Sequence, residues 1–350
     1  MTADIEPHPE HPALSVVIPT LGRPMLIRTI QSLVAAEGFD RIEVLAVGRI
    51  ADADVRRQLR ALCETHARIR HLDVSYETGD SSKKKNTGWR AARAERIAFL
   101  DDDVTVAPDW PVRIVDGFDS PDVALVSGPS LTPPDVNLFS RLAGLALSSP
   151  AVGYVAWRYR RGEGDDTFIN WSKIIGCNMA FRKSVLEEVD GFDPDFWPGE
   201  ELVTSYRTQK KGYRLIFLPK AYVYHYPRTS LVRFWRQIFG YGSTRIRLVR
   251  TGVELEPTTL IPALWVATLV VAGVGSFFHP VFPLVLWGVL AAYALVDLGI
   301  TLVMVRETRR VADLLIFLLI PIMHVSYGLA GWAELFRPGK DFGEEPHTAD

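Results

Sequence analysis

From Pro257 to Val296 the chain carries no Asp, Glu, Lys or Arg. A charge-free run of that length exceeds what a buried helix of a soluble domain needs, and it points to a bilayer. Three apolar segments can be drawn through and beyond it, 259–278, 281–305 and 314–333. Each is close to the roughly 20 residues that cross a hydrocarbon core of about 30 Å. Arg306, Arg309 and Arg310 lie between the second and third segments. Two crossings return a chain to the side on which it started, and a basic cluster at that point agrees with the positive-inside rule. The expectation is a transmembrane region of about three helices over 257–336, followed by a polar tail over 337–350.

The remainder reads differently. Hydrophobic residues make up 48% of the 350, yet residues 1–250 are mixed and charged, as in an enzyme domain that faces water. The start, MTADIEPHPEHPAL, is polar and lacks the basic head and apolar core of a secretory signal. Residues 1–13 are therefore expected to be disordered. The domain after them is expected on the cytoplasmic face of the inner cell membrane, held by a multi-pass anchor. Only Cys63 and Cys177 are present, too few for a disulfide framework or a cysteine zinc site. A net charge of -2 offers no basic field for a nucleic acid.

Leu14–Pro19 (LSVVIP) is a short β-branched run that stops at proline, as a buried strand would. Pro24 suits a first helical turn. Leu26, Ile27, Ile30, Leu33 and Val34 follow at helical spacing, and Gly38 closes the helix. Ile42–Val47 is a second strand, Val55–Leu62 a helix, and Ile69–Val74 a weaker strand. Asn86–Arg96 reads as a helix, and Ile97–Leu100 as a strand running into Asp101, Asp102 and Asp103. This alternation predicts an α/β domain with a mostly parallel sheet and helices on both faces. Ligands of such sheets bind beyond the carboxyl ends of the strands, so residues 19–23, 48–52 and 101–103 should line one crevice. Further on, Val123–Val126, Leu215–Leu218 and Tyr222–Tyr224 read as strands and Val185–Val189 as a short helix. Asn137–Tyr159 is apolar with few charges.

Adjacent carboxylates at a strand end repel one another unless a cation is bound, and hard oxygen ligands suit Mg²⁺ or Mn²⁺. By itself the DDD run fits an acidic turn or a helix cap equally well. Glu200 and Glu201 follow the turn Trp197–Pro198–Gly199. One carboxylate of such a pair can take a proton from a substrate hydroxyl, with Arg207 steadying the other; a helix N-terminus that favours Glu explains the same pair. Lys83, Lys84 and Lys85 precede Asn86 and Gly88 at an expected helix start, a setting that suits phosphate oxygens or, more blandly, a solvated lysine face. His225 is a further metal ligand or simply an edge-strand histidine.

Taken together, SVVIPTLGRP, KKKNTGWRAARAERIAFLDDDVTVAPDW and GCNMAFRKSVLEEVDGFDPDFWPGEELVTSYRTQKKGYRLIFLPKAYVYHY resemble family 2 glycosyltransferases in the order and spacing of their motifs. The resemblance spans about residues 14–230. A looser one, through RTSLVRFWRQIFGYGSTRIRL and the apolar segments, is to bacterial exopolysaccharide members of the succinoglycan type. It implies a GT-A catalytic domain over 14–228 that inverts the anomeric centre and uses a divalent metal ion, Mg²⁺ or Mn²⁺. Asp101 and Asp103 would be the D-x-D acids, Asp103 the direct ligand, and Glu201 the general base, with Glu200 and Arg207 beside it. Pro19 and Thr20 would lie against the nucleotide of a UDP-type sugar donor, along with Asp102, Lys83 and Asn86. There is one departure: many relatives end the second strand with an Asp that reads the base, and this chain has Val47–Gly48–Arg49. That contact falls to Asp52 or Asp80. The Q-x-x-R-W motif of processive synthases is missing, which favours single-sugar transfer.

Residues 229–256 interleave Arg233, Arg236, Arg245 and Arg247 with Leu231, Phe234, Trp235 and Ile238. This is the pattern of a basic amphipathic interfacial segment, and it suggests a polyprenyl-phosphate-linked acceptor. Two rival readings stay open: a nucleotidyltransferase, and a non-catalytic membrane scaffold with a degenerate transferase domain.

Overall fold

The computed structural model describes residues 11–76, 80–162, 164–194 and 196–337. Most of the stretch expected to be disordered and of the expected polar tail lies outside the described residues. The chain divides into two compact units, neither continuous in sequence. The first takes the chain up to residue 131 together with 160–226. Of the described residues, the second takes 132–159 together with 227–337. The expected domain over 14–228 thus meets a division that assigns the apolar stretch 132–159 to the other unit.

In the first unit, β1 (Leu14–Pro19), β2 (Ile42–Val47), β3 (Ile69–Leu72) and β4 (Arg96–Leu100) are parallel neighbours in the order β3-β2-β1-β4. A second small sheet takes β5 (Val104–Val106) and, further along the chain, β7 (Ser130–Leu131) and β11 (Val223–His225). The large sheet continues from β4 through β9 (Asn178–Arg182), β6 (Val123–Ser127), β10 (Arg214–Phe217) and β8 (Thr167–Ile169). Strand β9 is antiparallel to both its neighbours, so the sheet is mixed but mostly parallel. Every residue of β2 is buried, as expected of a central parallel strand covered on both faces.

The covering helices are α1 (Met25–Val34), α2 (Ala53–Thr65), α3 (Asp80–Ala91), α4 (Trp110–Asp116), then α6 (Lys183–Glu188) and α7 (Glu200–Lys210) beyond the second unit's α5 (Leu138–Ser148). The helix expected over 86–96 begins earlier and stops earlier. The alanine-rich stretch after Trp89 looked helical, but residues 92–95 turn into β4 instead. Gly88 faces Val17 of β1 so closely that a Cβ there would stand 2.3 Å from the valine Cγ1, which fixes how near α3 can lie to the sheet.

In the second unit, α8 (Leu231–Arg250) is capped by Ser230, whose hydroxyl accepts from the Arg233 amide. It is followed by α9 (Ile261–Gly275), α10 (Val281–Thr308) and α11 (Ile316–Leu335). Leu142 and Leu147 of α5 share a core with Phe234, Ile238, Met304, Ile320 and Met323. Arg141 pairs with Asp313 at 2.6 Å, and the aspartate is almost completely buried. Among the described residues Pro257–Gly275, Val281–Thr308 and Val311–Leu335 are long and apolar enough to cross a membrane.

Candidate active site

Strand β4 ends at Leu100 and β5 begins at Val104, so the DDD run is the tight link between the large sheet and the small one. The antiparallel register of β5 and β11 then sets His225 opposite Val104. This is how a histidine far along the chain reaches Asp103. Its Nε2 lies 3.0 Å from an Asp103 carboxylate oxygen. Asp101, Asp103 and His225 each offer one ligand atom, all within 4.8 Å of one another.

The three groups act strongly on one another's charge. Burial pushes the Asp101 carboxyl up, and the neighbouring Asp103 charge pushes it further, to about 6. Burial alone would lower the His225 imidazole. The Asp103 carboxylate, with a contact from the Cys177 sulfur, outweighs that and holds it well above its ordinary value. Two hard carboxylates and one imidazole are a donor set that fits Mn²⁺ or Mg²⁺.

Asp102 plays another part. Its carboxylate accepts from the Thr20 hydroxyl at 2.5 Å and the Leu21 amide at 3.2 Å, tying the end of β1 to the DDD link. It holds the crevice together from behind instead of facing it. Thr20 is buried, its carbonyl accepts from Lys84 at 2.8 Å, and Lys84 is paired with Asp80. Pro19 ends β1 as expected, with Thr20 just beyond it. Gly48, just past the end of β2, sits at φ 147° with a would-be Cβ 2.1 Å from the Thr20 carbonyl oxygen. A side chain has no room there. Of the two substitutes, Asp52 caps α2 by accepting from the Asp54 and Val55 amides, and Asp80 holds Lys84. Asp80 stands closer to the end of β2, because its Lys84 partner reaches the Thr20 carbonyl and lies against Gly48.

The lysine run divides as well. Lys83 lies over the Tyr76 ring, beside a cleft of about 330 Å³ that Thr87, Arg90, Asp190 and Phe192 also line. Lys85 is buried and donates to Glu200 at 2.6 Å. Burial would lower its ammonium, but the charges of Glu200, Glu201 and Asp101 raise it above the usual lysine value. Lys85 thus stands within electrostatic reach of both acidic constellations. The sequence reading placed Lys83 against the donor, whereas Lys85 is the lysine beside the acids. A cation preceding Asn86 by one residue on the inner face of α3 was the only available signal. Asn86 is a pin: its amide bridges the Phe192 backbone and the Trp89 indole.

Gly199, at φ 105°, starts α7 and puts both glutamates in its first turn. Glu200 is 3% exposed and also accepts from Ser81 and the Gly199 amide. Burial pushes it up, but Lys85 overrides this and holds it below the usual carboxylate range. Glu201 is only half buried and lies against Gly176, where a Cβ would come within 3.3 Å of its carboxyl carbon. Arg207 is not brought to the pair; it reaches Asp193 at 3.3 Å. The supporting cation is Lys85. Asn178, which sequence reasoning treated only as part of a motif, is fully buried and ties Trp110 to the Pro129 and Ala221 carbonyls behind the metal trio.

Residues 11–240 match the family described as glycosyltransferase like family 2. The succinoglycan biosynthesis protein ExoA of Rhizobium meliloti is 24% identical over 303 residues, covering 83% of this chain and 85% of that protein. The pre-mycofactocin glycosyltransferase of Mycobacterium tuberculosis is 27% identical over 259 residues, covering 72% and 51%. The O-antigen biosynthesis protein RfbC of Myxococcus xanthus is 26% identical over 231 residues, which is 63% of this chain but 18% of that protein. The chain therefore spans from under a fifth to about half the length of the last two. The mannosyltransferase PcManGT of Pyrobaculum calidifontis, solved with GDP-Man and Mn²⁺, superposes with a TM-score of 0.59 at 18% identity, over 95% of this chain and 90% of that one.

Proposed function

Since the chain belongs to glycosyltransferase family 2 and has the GT-A fold, we propose that it transfers one sugar, with inversion, from a nucleotide-diphosphate sugar to a lipid-linked acceptor. The observation that carries this is the trio Asp101, Asp103 and His225 at the end of β4, with the Glu200–Glu201 turn joined to it through Lys85. Bound there, Mg²⁺ or Mn²⁺ would neutralise charge growing on the leaving diphosphate. Asp101, Asp103 and His225 are the residues that would hold it.

The remaining roles are part of the same proposal. Glu201, half exposed at the head of α7, takes the proton of the attacking acceptor hydroxyl. Glu200 is the poorer candidate, because it is buried and its oxygens already accept from Lys85, Ser81 and the Gly199 amide. The ends of β1 and β2, at Thr20 and Gly48, receive the nucleotide by the rule that places ligands beyond strand carboxyl ends. Although no Asp stands at Gly48 to read a uracil, a UDP-sugar is the first donor to try, and GDP-Man, the ligand of PcManGT, the second.

The lipid-linked acceptor rests on the second unit, whose long apolar helices would place the enzyme at a membrane, with the catalytic unit on the cytoplasmic face. Purified full-length protein should be offered labelled UDP- and GDP-sugars with Mn²⁺ and a bacterial lipid extract. Label entering the organic phase, with release of nucleoside diphosphate, is the expected result. Release of pyrophosphate from a nucleoside triphosphate instead would support a nucleotidyltransferase.

A further inference from the structure

Val311–Leu335 is apolar and, at 25 residues and about 1.5 Å per residue, long enough to cross a bilayer. Its contacts say where it goes. Helices α9 and α10 form an antiparallel hairpin: Trp265 stacks on Tyr293 with ring centroids 4.3 Å apart, and Gly275 packs on Phe282 beside the turn. The two helices thus enter and leave on one side, and α11 starts on that side, just after α10 ends.

If α11 crossed, its last turn would lie beside the hairpin tip. It lies beside the hairpin base instead. The Trp332 indole donates to the carbonyl of Ala263, near the start of α9, at 2.8 Å. Gly328 sits against the Pro262 carbonyl and Val266. Arg250, which precedes α9 in the chain, donates to the Glu334 carbonyl at 2.7 Å and to the Arg337 carbonyl at 3.2 Å, and pairs with the Glu334 carboxylate. At the tip, Phe277 and Phe278 are 88% and 81% exposed. Burial agrees: 44% of the α11 window is buried within the protein, against 11% and 17% for the two hairpin segments.

We infer that α11 does not span the membrane: the chain crosses twice, through α9 and α10, and α11 lies within the leaflet on the side where the chain entered. One face packs on α8, where a Cβ on Gly242 would stand 2.4 Å from the Tyr327 carbonyl oxygen. Helix α11 is apolar on nearly every face, and its outward residues Leu318, Leu329 and Leu335 are exposed, so on this inference it lies at the depth of the acyl chains of that one leaflet and not among the headgroups. A buried ion pair at its last turn fits this placement, because Glu334 then meets Arg250 without either charge being carried through hydrocarbon. The arginines between α10 and α11 and the end of α11 share one side.

The test is side-specific labelling of the full chain in sealed membrane vesicles, using a membrane-impermeant maleimide read peptide by peptide. Three variants are compared: Glu254→Cys ahead of α9, His279→Cys at the hairpin tip, and Thr348→Cys beyond α11. The inference expects Glu254→Cys and Thr348→Cys to label from one face, and His279→Cys from the other only. Thr348→Cys labelling together with His279→Cys would mean three crossings and overturn it. All three labelling from one face would overturn it too, because the hairpin would not cross. Neither result bears on sugar transfer, which is measured separately.

Discussion

At Glu200 the carboxylate is 3% exposed, and both its oxygens are committed to Lys85, Ser81 and the Gly199 amide. Glu201 is half exposed and turned toward Gly176. The two neighbours should therefore fail differently. Glu201→Gln keeps the shape and removes the proton acceptor, so kcat should fall roughly 10²–10⁴-fold while donor KM and melting temperature hold. Glu200→Gln leaves the Lys85 ammonium buried without its partner and should cost about 3–5 kcal/mol of stability, read as a lower denaturation midpoint. If the kcat loss fell on Glu200→Gln with stability intact, the roles would be exchanged. The pair also has a pH signature. Glu200 is held below its ordinary 4.5, so its contribution is present above that pH and fades as pH falls through the lower folded value. Lys85 is raised above 10.5, so its contribution is present below that pH and fades as pH rises through the higher folded value. The stability gap between wild type and a Lys85→Met/Glu200→Gln double variant should be flat between these limits and shrink as pH falls below 4.5 toward the lower folded value. A gap that changed steeply near neutrality would contradict the pairing.

At the scale of elements, the crevice depends on how closely β1, β2 and α3 approach. Gly88→Ala would press a methyl into Val17 and should destabilise by roughly 1–3 kcal/mol through overpacking, measurable as a lower denaturation midpoint. Gly48→Ala meets both a left-handed backbone and the Thr20 carbonyl, so it should raise donor KM more than it lowers kcat. An unchanged KM would remove the end of β2 from the nucleotide site. The parallel core was legible because β-branched runs such as LSVVIP and IEVLAV have one use in an alternating α/β pattern, and β1 and β2 fall on the residues expected. Helix α3 was not. Nothing local shows that Lys84, Lys85 and Asn86 face inward; that follows from Thr20, Glu200 and Phe192, which are distant in sequence. Arg207 shows the reverse error. Sequence proximity suggested it for Glu200, but its position on α7 turns it to Asp193.

For the whole molecule, the sequence separated a water-facing part from an apolar part, but not the exchange of residues 132–159 into the second unit. Leu142 and Leu147 lie in the stretch that reads only as apolar with few charges, and their partners are Phe234, Met304 and Ile320. A protein cut near residue 228 would expose that face, so the acceptor is better tested on the full chain. Arg233 and Arg236 are exposed on α8. Replacing both with Gln should raise KM for a lipid acceptor and leave donor hydrolysis unchanged; equal loss of both would assign them a structural role. The central claim is transfer supported by a divalent ion held at Asp101, Asp103 and His225. Its most direct test is labelled-sugar transfer into lipid extract by wild type and Asp103→Asn, each with Mn²⁺ and with EDTA. Loss of one carboxylate ligand should remove several kcal/mol of transition-state stabilisation. The account predicts transfer by wild type with Mn²⁺, none in EDTA, and none by a folded Asp103→Asn in either condition. Transfer that persists in EDTA, or that Asp103→Asn retains in full, would contradict it.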